Sequence, residues 1–208
     1  MLTDAITINA HSSIRVGGDT VLYFDPFHLK EEPRDADIVF ITHDHYDHLS
    51  PEDIARVKKE DTVFVLPASC RESAEKDGLE NCVFLTPGET VGVKGVPVEA
   101  VAAYNVLKPF HPKKNGWLGY VVTLEGRHLY VAGDTDENPD NLSVKCDIAM
   151  VPAGGTYTFD AKHAAKFVNR LRPAVAIPTH YGDIVGKLSD GDDFAARVDS
   201  GIEVVKKI

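Results

Sequence analysis

The chain has 208 residues, 43% hydrophobic and 26% charged, with a formal net charge of −10; that is length enough for one full core and an ordinary composition for a globular protein. The acidity excludes nucleic acid and anionic membrane as general partners, because both are bound chiefly by neutralising phosphates. No apolar run approaches the ~20 residues that span a bilayer. Cys70, Cys82 and Cys146 form neither a CxxC pair nor a disulfide framework. The first residues, MLTDAITINAH, carry an early acid and no basic leader, so a cytoplasmic location is expected.

In chain order, AITINA, SIRVGG and TVLYFD read as successive strands, with Gly17-Gly18-Asp19 turning a tight hairpin. ADIVFIT is a continuous apolar strand suited to burial on both faces. SPEDIARVKKE follows as a helix over 50–60: Ser50 caps it, Pro51 suits its first position and Asp53 stands where a capping-box acid would. Further strands are expected at 62–67, 81–86, 97–104, 146–152 and 174–180, with a hairpin over 116–134 turning at Glu125-Gly126. Helices fit 69–78, 159–172 (stopped by Pro173) and 192–200. No linker, repeat or composition shift divides the chain, so residues 1–208 read as one α/β domain: two sheets face to face with helices outside.

Chemistry concentrates in ITHDHYDHLS. In an extended chain His43 and His45 point to the same side, so two imidazoles can converge on one cation, while Asp47 and His48 lie where the chain turns into the helix. A solvated polar loop is the plain alternative; the position at the end of a buried strand favours a metal site of imidazole and carboxylate. Four such groups cannot complete two metal shells. His111 before a strand, and Asp134 and His180 at strand ends, are the candidates to supply the rest. His28, His128 and His163 lack that placement and are left out.

THDHYDH, a later histidine, GDT and a last histidine after an apolar strand together resemble the metallo-β-lactamase superfamily, from HSSIRVGGDTVLYFDPF through THYGD. The blocks AYNVLKPFHPKKNGWLGYVV and VPAGGTYTFD are similar to its UlaG-like metal-dependent hydrolase branch. The resemblance implies a four-layer αβ/βα sandwich with the metals at the edge between the sheets. It implies that His43, His45 and His111 hold a first ion, that Asp47, His48 and His180 hold a second, and that Asp134 bridges them. Zinc is the first choice of metal, with manganese or iron as alternatives. The implied reaction is hydrolysis of an ester, lactone or phosphodiester of a small molecule by water activated at the metal pair.

Around these ligands, Asp47 is also a candidate proton acceptor, and Asp25 is a candidate acceptor for a ligand N–H or else a turn residue before Pro26. His11, in NAHSS, resembles a family position near the site and is a candidate donor to substrate or metal-bound water, against a structural role. Tyr157 is either an oxyanion donor or a packed aromatic, and Gly154 and Gly155 either admit a ligand to the backbone or simply turn the chain. Lys108, Lys113 and Lys114 either attract an anionic substrate or form a solvated turn.

Departures from other branches narrow the reaction. The commonest class B lactamases use a cysteine at the second metal and lack the histidine after the motif aspartate, whereas here His48 is present and Cys146 is poorly placed. Flavodiiron proteins have glutamate where His45 stands. A mononuclear iron oxidoreductase of the sulfur-dioxygenase kind and a non-catalytic metal-binding module are the alternative functions.

Overall fold

The computed structural model describes residues 2–208. Two mixed sheets carry the fold. The first takes β1 (Ile6–Ala10), β2 (Ser13–Val16), β3 (Leu22–Phe24), β4 (Ala36–Phe40), β5 (Lys58–Pro67) and β6 (Cys82–Leu85) in simple sequence order. Its β1–β2–β3 part is antiparallel, and β3 to β6 run parallel. The second contains β7 (Thr90–Val93), β8 (Val96–Ala102), β9 (Leu118–Leu124), β10 (Arg127–Val131), β11 (Ile148–Pro152), β12 (Val175–Thr179) and β13 (Glu203–Val204), again in order. Here β7 to β10 are antiparallel and β10 to β13 parallel, so the two sheets mirror one another.

Strand alternation dictates the layering. Inward residues such as Ile6, Ile14, Phe24, Phe40 and Val65 of the first sheet meet Val98, Tyr120, Leu129, Met150 and Ile177 of the second in one shared core. On the outer face of the first sheet Val39, Ile41, Phe64 and Leu66 pack on α1 (Pro51–Val57) and α2 (Arg71–Lys76). Outside the second, Ala149, Val151 and Ala176 meet Phe167 and Val168 of α3 (Ala161–Leu171) and Phe194 of α4 (Ser189–Ala195). The result is the αβ/βα sandwich expected. Among the described residues no helix is long and apolar enough to cross a membrane.

Local signals held where capping chemistry was explicit. The Ser50 hydroxyl accepts from Asp53 N as the N-cap and donates to Asp53 Oδ2, while the Asp53 carboxylate accepts from His28 N and Leu29 N, so the cap forms without the reciprocal backbone bond of a capping box. Glu125 and Gly126 both take positive φ (51° and 72°), as a two-residue hairpin turn of that hand requires. The expected helix over 50–60 is shorter: it stops at Val57, and Lys58–Glu60 open β5, because Lys58 turns extended and Lys59 N bonds Thr62 Oγ1. The helix expected over 192–200 forms earlier, at Ser189–Ala195. Strands β7 and β13 lie outside the expected set; the first is broken by Gly92 and the second has only two residues, so neither presents a β-rich run.

Candidate metal centre

The parallel strands β3, β4, β10 and β12 all deliver their C-terminal ends to one edge of the sandwich, and that edge collects the polar residues. His11 sits in the β1–β2 turn, Asp25 follows β3, His43 to His48 follow β4, Asp134 follows β10 and His180 follows β12. His111 reaches the same place from the β8–β9 loop. Hydrogen bonds cross between the sheets here: His180 N to His11 O at 2.8 Å and Leu118 N to Thr42 O at 3.0 Å. His11, Asp25, His111 and His180 all take left-handed backbone conformations, φ 45–56°. Such conformations cost of order 1–3 kcal/mol each and persist where surrounding structure holds them.

The HDHYDH segment folds back on itself: the amides of His48 and Leu49 both donate to His45 O, at 2.9 and 2.8 Å, so Asp47 and His48 return toward the strand end. His43 Nε2 and His45 Nδ1 face each other at 2.9 Å. The side chains fall into overlapping sets whose donor atoms lie within 4.8 Å of one another: His43, His45 and His111; His11, Asp47, His48 and His180; and His43, His48 and Asp134. Asp134 lies between them, with Oδ2 at 3.3 Å from His111 Nε2 and 3.2 Å from His180 Nε2, and Oδ1 at 3.5 Å from His48 Nε2. His45 is exposed and Asp47 half-buried, so the open side of the centre is theirs; the remaining members are buried.

All seven residues expected as ligands therefore meet in one place, and their unpaired atoms fit a cation. His48 Nε2, His111 Nε2, His180 Nε2 and Asp134 Oδ1 are buried without a hydrogen-bond partner, an expensive arrangement for groups with no further function. Burial also holds the imidazoles of His43 and His111 below their ordinary pKa, and desolvation of the inward side of the His45 ring, with His48 beside it, lowers that one too, favouring the neutral form that ligates. Asp134 stays well below the usual carboxylate range despite burial, because His180 and His48 face it. His48 runs the other way: burial lowers it, but Asp134 and Asp25 outweigh that and push it up to about 9. The extra positive charge that those carboxylates favour is what a bound cation would supply.

A layer of hydrogen bonds fixes the rings. Asp25 accepts from Thr42 N (2.8 Å), Thr42 Oγ1 (2.7 Å) and His48 Nδ1 (2.7 Å), so His48 presents Nε2 to the centre. With its proton given to Asp25, the Thr42 hydroxyl accepts from His43 Nδ1 at 3.0 Å, which likewise turns His43 Nε2 inward. His111 Nδ1 donates to Tyr157 O at 3.2 Å. Of the two readings of Asp25, the structure shows the acceptor.

Sequence reasoning passed over three residues here. Thr42 bridges Asp25 and His43; its only signal was its place before the first histidine. Trp117 packs against three imidazoles at once, its ring 4.8 Å from His43, 4.8 Å from His45 and 5.4 Å from His111. Asn105 ties Phe110 O and Tyr157 O together through Nδ2, at 2.9 and 2.7 Å, bracing the loop that carries His111. Both Trp117 and Asn105 lie inside the block AYNVLKPFHPKKNGWLGYVV that resembles the UlaG-like branch, but nothing in their own residue type or spacing set them apart within it.

The other expected residues lie around the centre. Tyr157 meets the centre through its carbonyl; its ring packs edge-on against Phe110 at 4.8 Å, and its hydroxyl forms no hydrogen bond among the described residues. Gly154 admits no ligand: a Cβ there would lie 2.2 Å from His180 O, so the glycine exists to let the His180 turn pack. Lys108 bonds Asp136 (3.0 Å) and Thr158 O, and Lys113 bonds Asp140 (2.9 Å), while Lys114 is exposed. His28, His128 and His163 lie outside the cluster, each beside its own carboxylate: Asp183, Asp147 and Asp160.

Comparison with known proteins agrees with this geometry. Residues 5–180 match the family described as the beta-lactamase superfamily domain. A UPF0173 metal-dependent hydrolase of Thermoplasma acidophilum is 30% identical over 90% of this chain and 88% of its own length. Another, of Methanopyrus kandleri, is 30% identical over 96% and 94%. A crystal structure of a candidate metal-dependent hydrolase from Parabacteroides distasonis superposes with a TM-score of 0.84 at 33% identity, covering 97% of this chain and 91% of that one. The chain thus belongs to the beta-lactamase superfamily, beside curated relatives named UPF0173 metal-dependent hydrolases.

Proposed function

We propose that this metal-dependent hydrolase works with a dinuclear centre on an ester or lactone of a small molecule, with phosphodiesters as a further class. The observation that carries the reading is Asp134: Oδ2 faces His111 of one set and His180 of the other, and Oδ1 faces His48, so a single carboxylate touches both sets of inward-turned imidazoles. His43, His45 and His111 would hold one ion and Asp47, His48 and His180 the other, with Asp134 shared. Zinc suits these nitrogen and oxygen donors, and manganese or iron would also be accepted. Bound there, a pair of divalent ions lowers the pKa of water toward neutrality and polarises the oxygen of the bond under attack.

The chain supplies the rest. Asp25 and Thr42 keep His48 and His43 in the tautomers that leave Nε2 free. Asp47 is ionised: burial opposes this, yet His11 and His48 bring its pKa down to about 2. Oδ2 faces His11 and His48, so a proton from the attacking water would go to the other oxygen of this half-buried carboxylate. Trp117 and the buried rings of His43 and His111 exclude solvent from one side of the centre, leaving approach by His45 and Asp47. With Lys108 and Lys113 held by Asp136 and Asp140, Tyr46, Phe110 and Ile184 exposed on the segments that carry the ligands, and Tyr157 exposed on the loop whose carbonyl meets His111, a neutral substrate suits this mouth better than an anionic one. Assignment to the UlaG-like branch rests on the sequence blocks.

The test is turnover of ester, lactone and phosphodiester panels by zinc-loaded protein, with and without chelator. The reading expects chelator-sensitive hydrolysis that Asp134→Ala abolishes. Full activity in the Asp134→Ala protein, or none in the loaded wild type on any panel, overturns it.

A further inference from the structure

His11 is left without a task by the seven-ligand set, and its surroundings define one. It is fully buried, 0% exposed, and neither ring nitrogen has a hydrogen-bond partner. Nε2 nevertheless lies 3.2 Å from Asp47 Oδ2, without the alignment of a hydrogen bond. The ring sits 3.7 Å from that of His180, and its donor atom lies within 4.8 Å of those of Asp47, His48 and His180. The backbone fixes it there: His11 takes φ 51° in the β1–β2 turn, and its carbonyl accepts from His180 N at 2.8 Å. Phe27 stands 6.4 Å away against the ring.

A role toward substrate requires an accessible ring, and this one is buried. A role as hydrogen-bond support for Asp47 requires alignment, which is missing. A cation between the two groups accounts for both facts, because it satisfies a lone pair on each.

Resting on the dinuclear reading above, we propose that His11 Nε2 is a ligand of the second ion, joining Asp47, His48, His180 and the shared Asp134. The two halves of the centre are then unequal. The second ion is held by five side chains, of which only half-buried Asp47 reaches the open side, and exchanges slowly. The first, with His43, His45 and His111 and an exposed edge at His45, is the labile ion where water and substrate exchange.

Two measurements decide this. Zinc-loaded wild-type crystals, with anomalous scattering to place the ions, are expected to show His11 Nε2 at the bonding distance of about 2.0–2.1 Å from one of them. Ions at Asp134 with His11 Nε2 beyond ~3 Å, well outside that bonding range, overturn the assignment and leave the dinuclear reading intact. No ion at Asp134, or only one, removes the dinuclear reading as well. In solution, chelator-driven zinc release from the wild type should be biphasic. In His11→Gln the slow phase should accelerate by about tenfold or more, since loss of even an outer-layer partner of a ligand costs about 10–100-fold. An unchanged slow phase contradicts the proposal.

Discussion

Asp25→Asn tests the hydrogen-bond layer behind the metal centre without changing shape. The wild-type carboxylate is 1% exposed and accepts three hydrogen bonds of 2.7–2.8 Å, from Thr42 N, Thr42 Oγ1 and His48 Nδ1. An asparagine can keep the first through its oxygen, but its NH2 then faces His48 Nδ1. The imidazole must move its proton to Nε2 to accept from that NH2, and Nε2 is the atom turned toward the metal. A hydrogen bond to a charged group is worth about 1.5–3 kcal/mol. Losing the one that selects the tautomer should weaken the second zinc by about 10–100-fold, in line with other outer-layer partners of metal ligands. The first zinc should weaken less, since His43 is linked to Asp25 only through Thr42. Calorimetric zinc titration resolves the two equivalents. A second equivalent bound by Asp25→Asn within about twofold of wild type, far less than that outer-layer range, refutes the reasoning.

Other expectations follow from individual contacts. As the single tryptophan of the chain, Trp117 packs on His43, His45 and His111, so cobalt titration should quench its fluorescence with the ion held by that triad; quenching that tracks only the other ion counts against the pairing of ligands. Gly154→Ala would put a methyl 2.2 Å from His180 O, and overpacking of this kind costs about 1–3 kcal/mol. Urea unfolding and zinc affinity should both suffer; an unchanged pair of values would show that the turn can yield. At the α3 N-cap, Asp160 accepts from His163 N at 2.8 Å, and Asp160→Ala should cost about 1 kcal/mol. Burial tends to raise the pKa of this carboxyl, but the His163 contacts win and hold it below 3.8. A depressed carboxylate stabilises the fold above its unfolded pKa and loses that contribution as pH falls through its folded one. The stability gap between wild type and Asp160→Ala should therefore be full at pH 6 and close in acid below ~pH 3.8, the ordinary aspartate range; a constant gap refutes it.

What the sequence disclosed depended on how locally the physics is encoded. Apolar alternation in 5–10 and 13–18, the continuous run at 36–42 and the Ser50-Pro51-Asp53 cap are decided within a few residues, and each was readable. The end of α1 was not, because Lys58 leaves the helix to pair with Ala36, a contact from another part of the chain. The centre shows the same division. His43, His45, Asp47 and His48 announce themselves by spacing, and His111, Asp134 and His180 by their place at strand edges. Thr42, Asn105 and Trp117 lie inside the blocks that carry the resemblance, yet their contacts form only once distant loops have met, so the sequence did not single them out. His28 and His180 illustrate the limit from the other side: both take positive φ, but only one belongs to the centre.

The central claim is that one carboxylate and its surrounding imidazoles hold a pair of ions. The metal-to-protein ratio of zinc-loaded, desalted protein, measured by elemental analysis, tests it most directly. The account predicts two ions per chain. A ratio of one or less contradicts it.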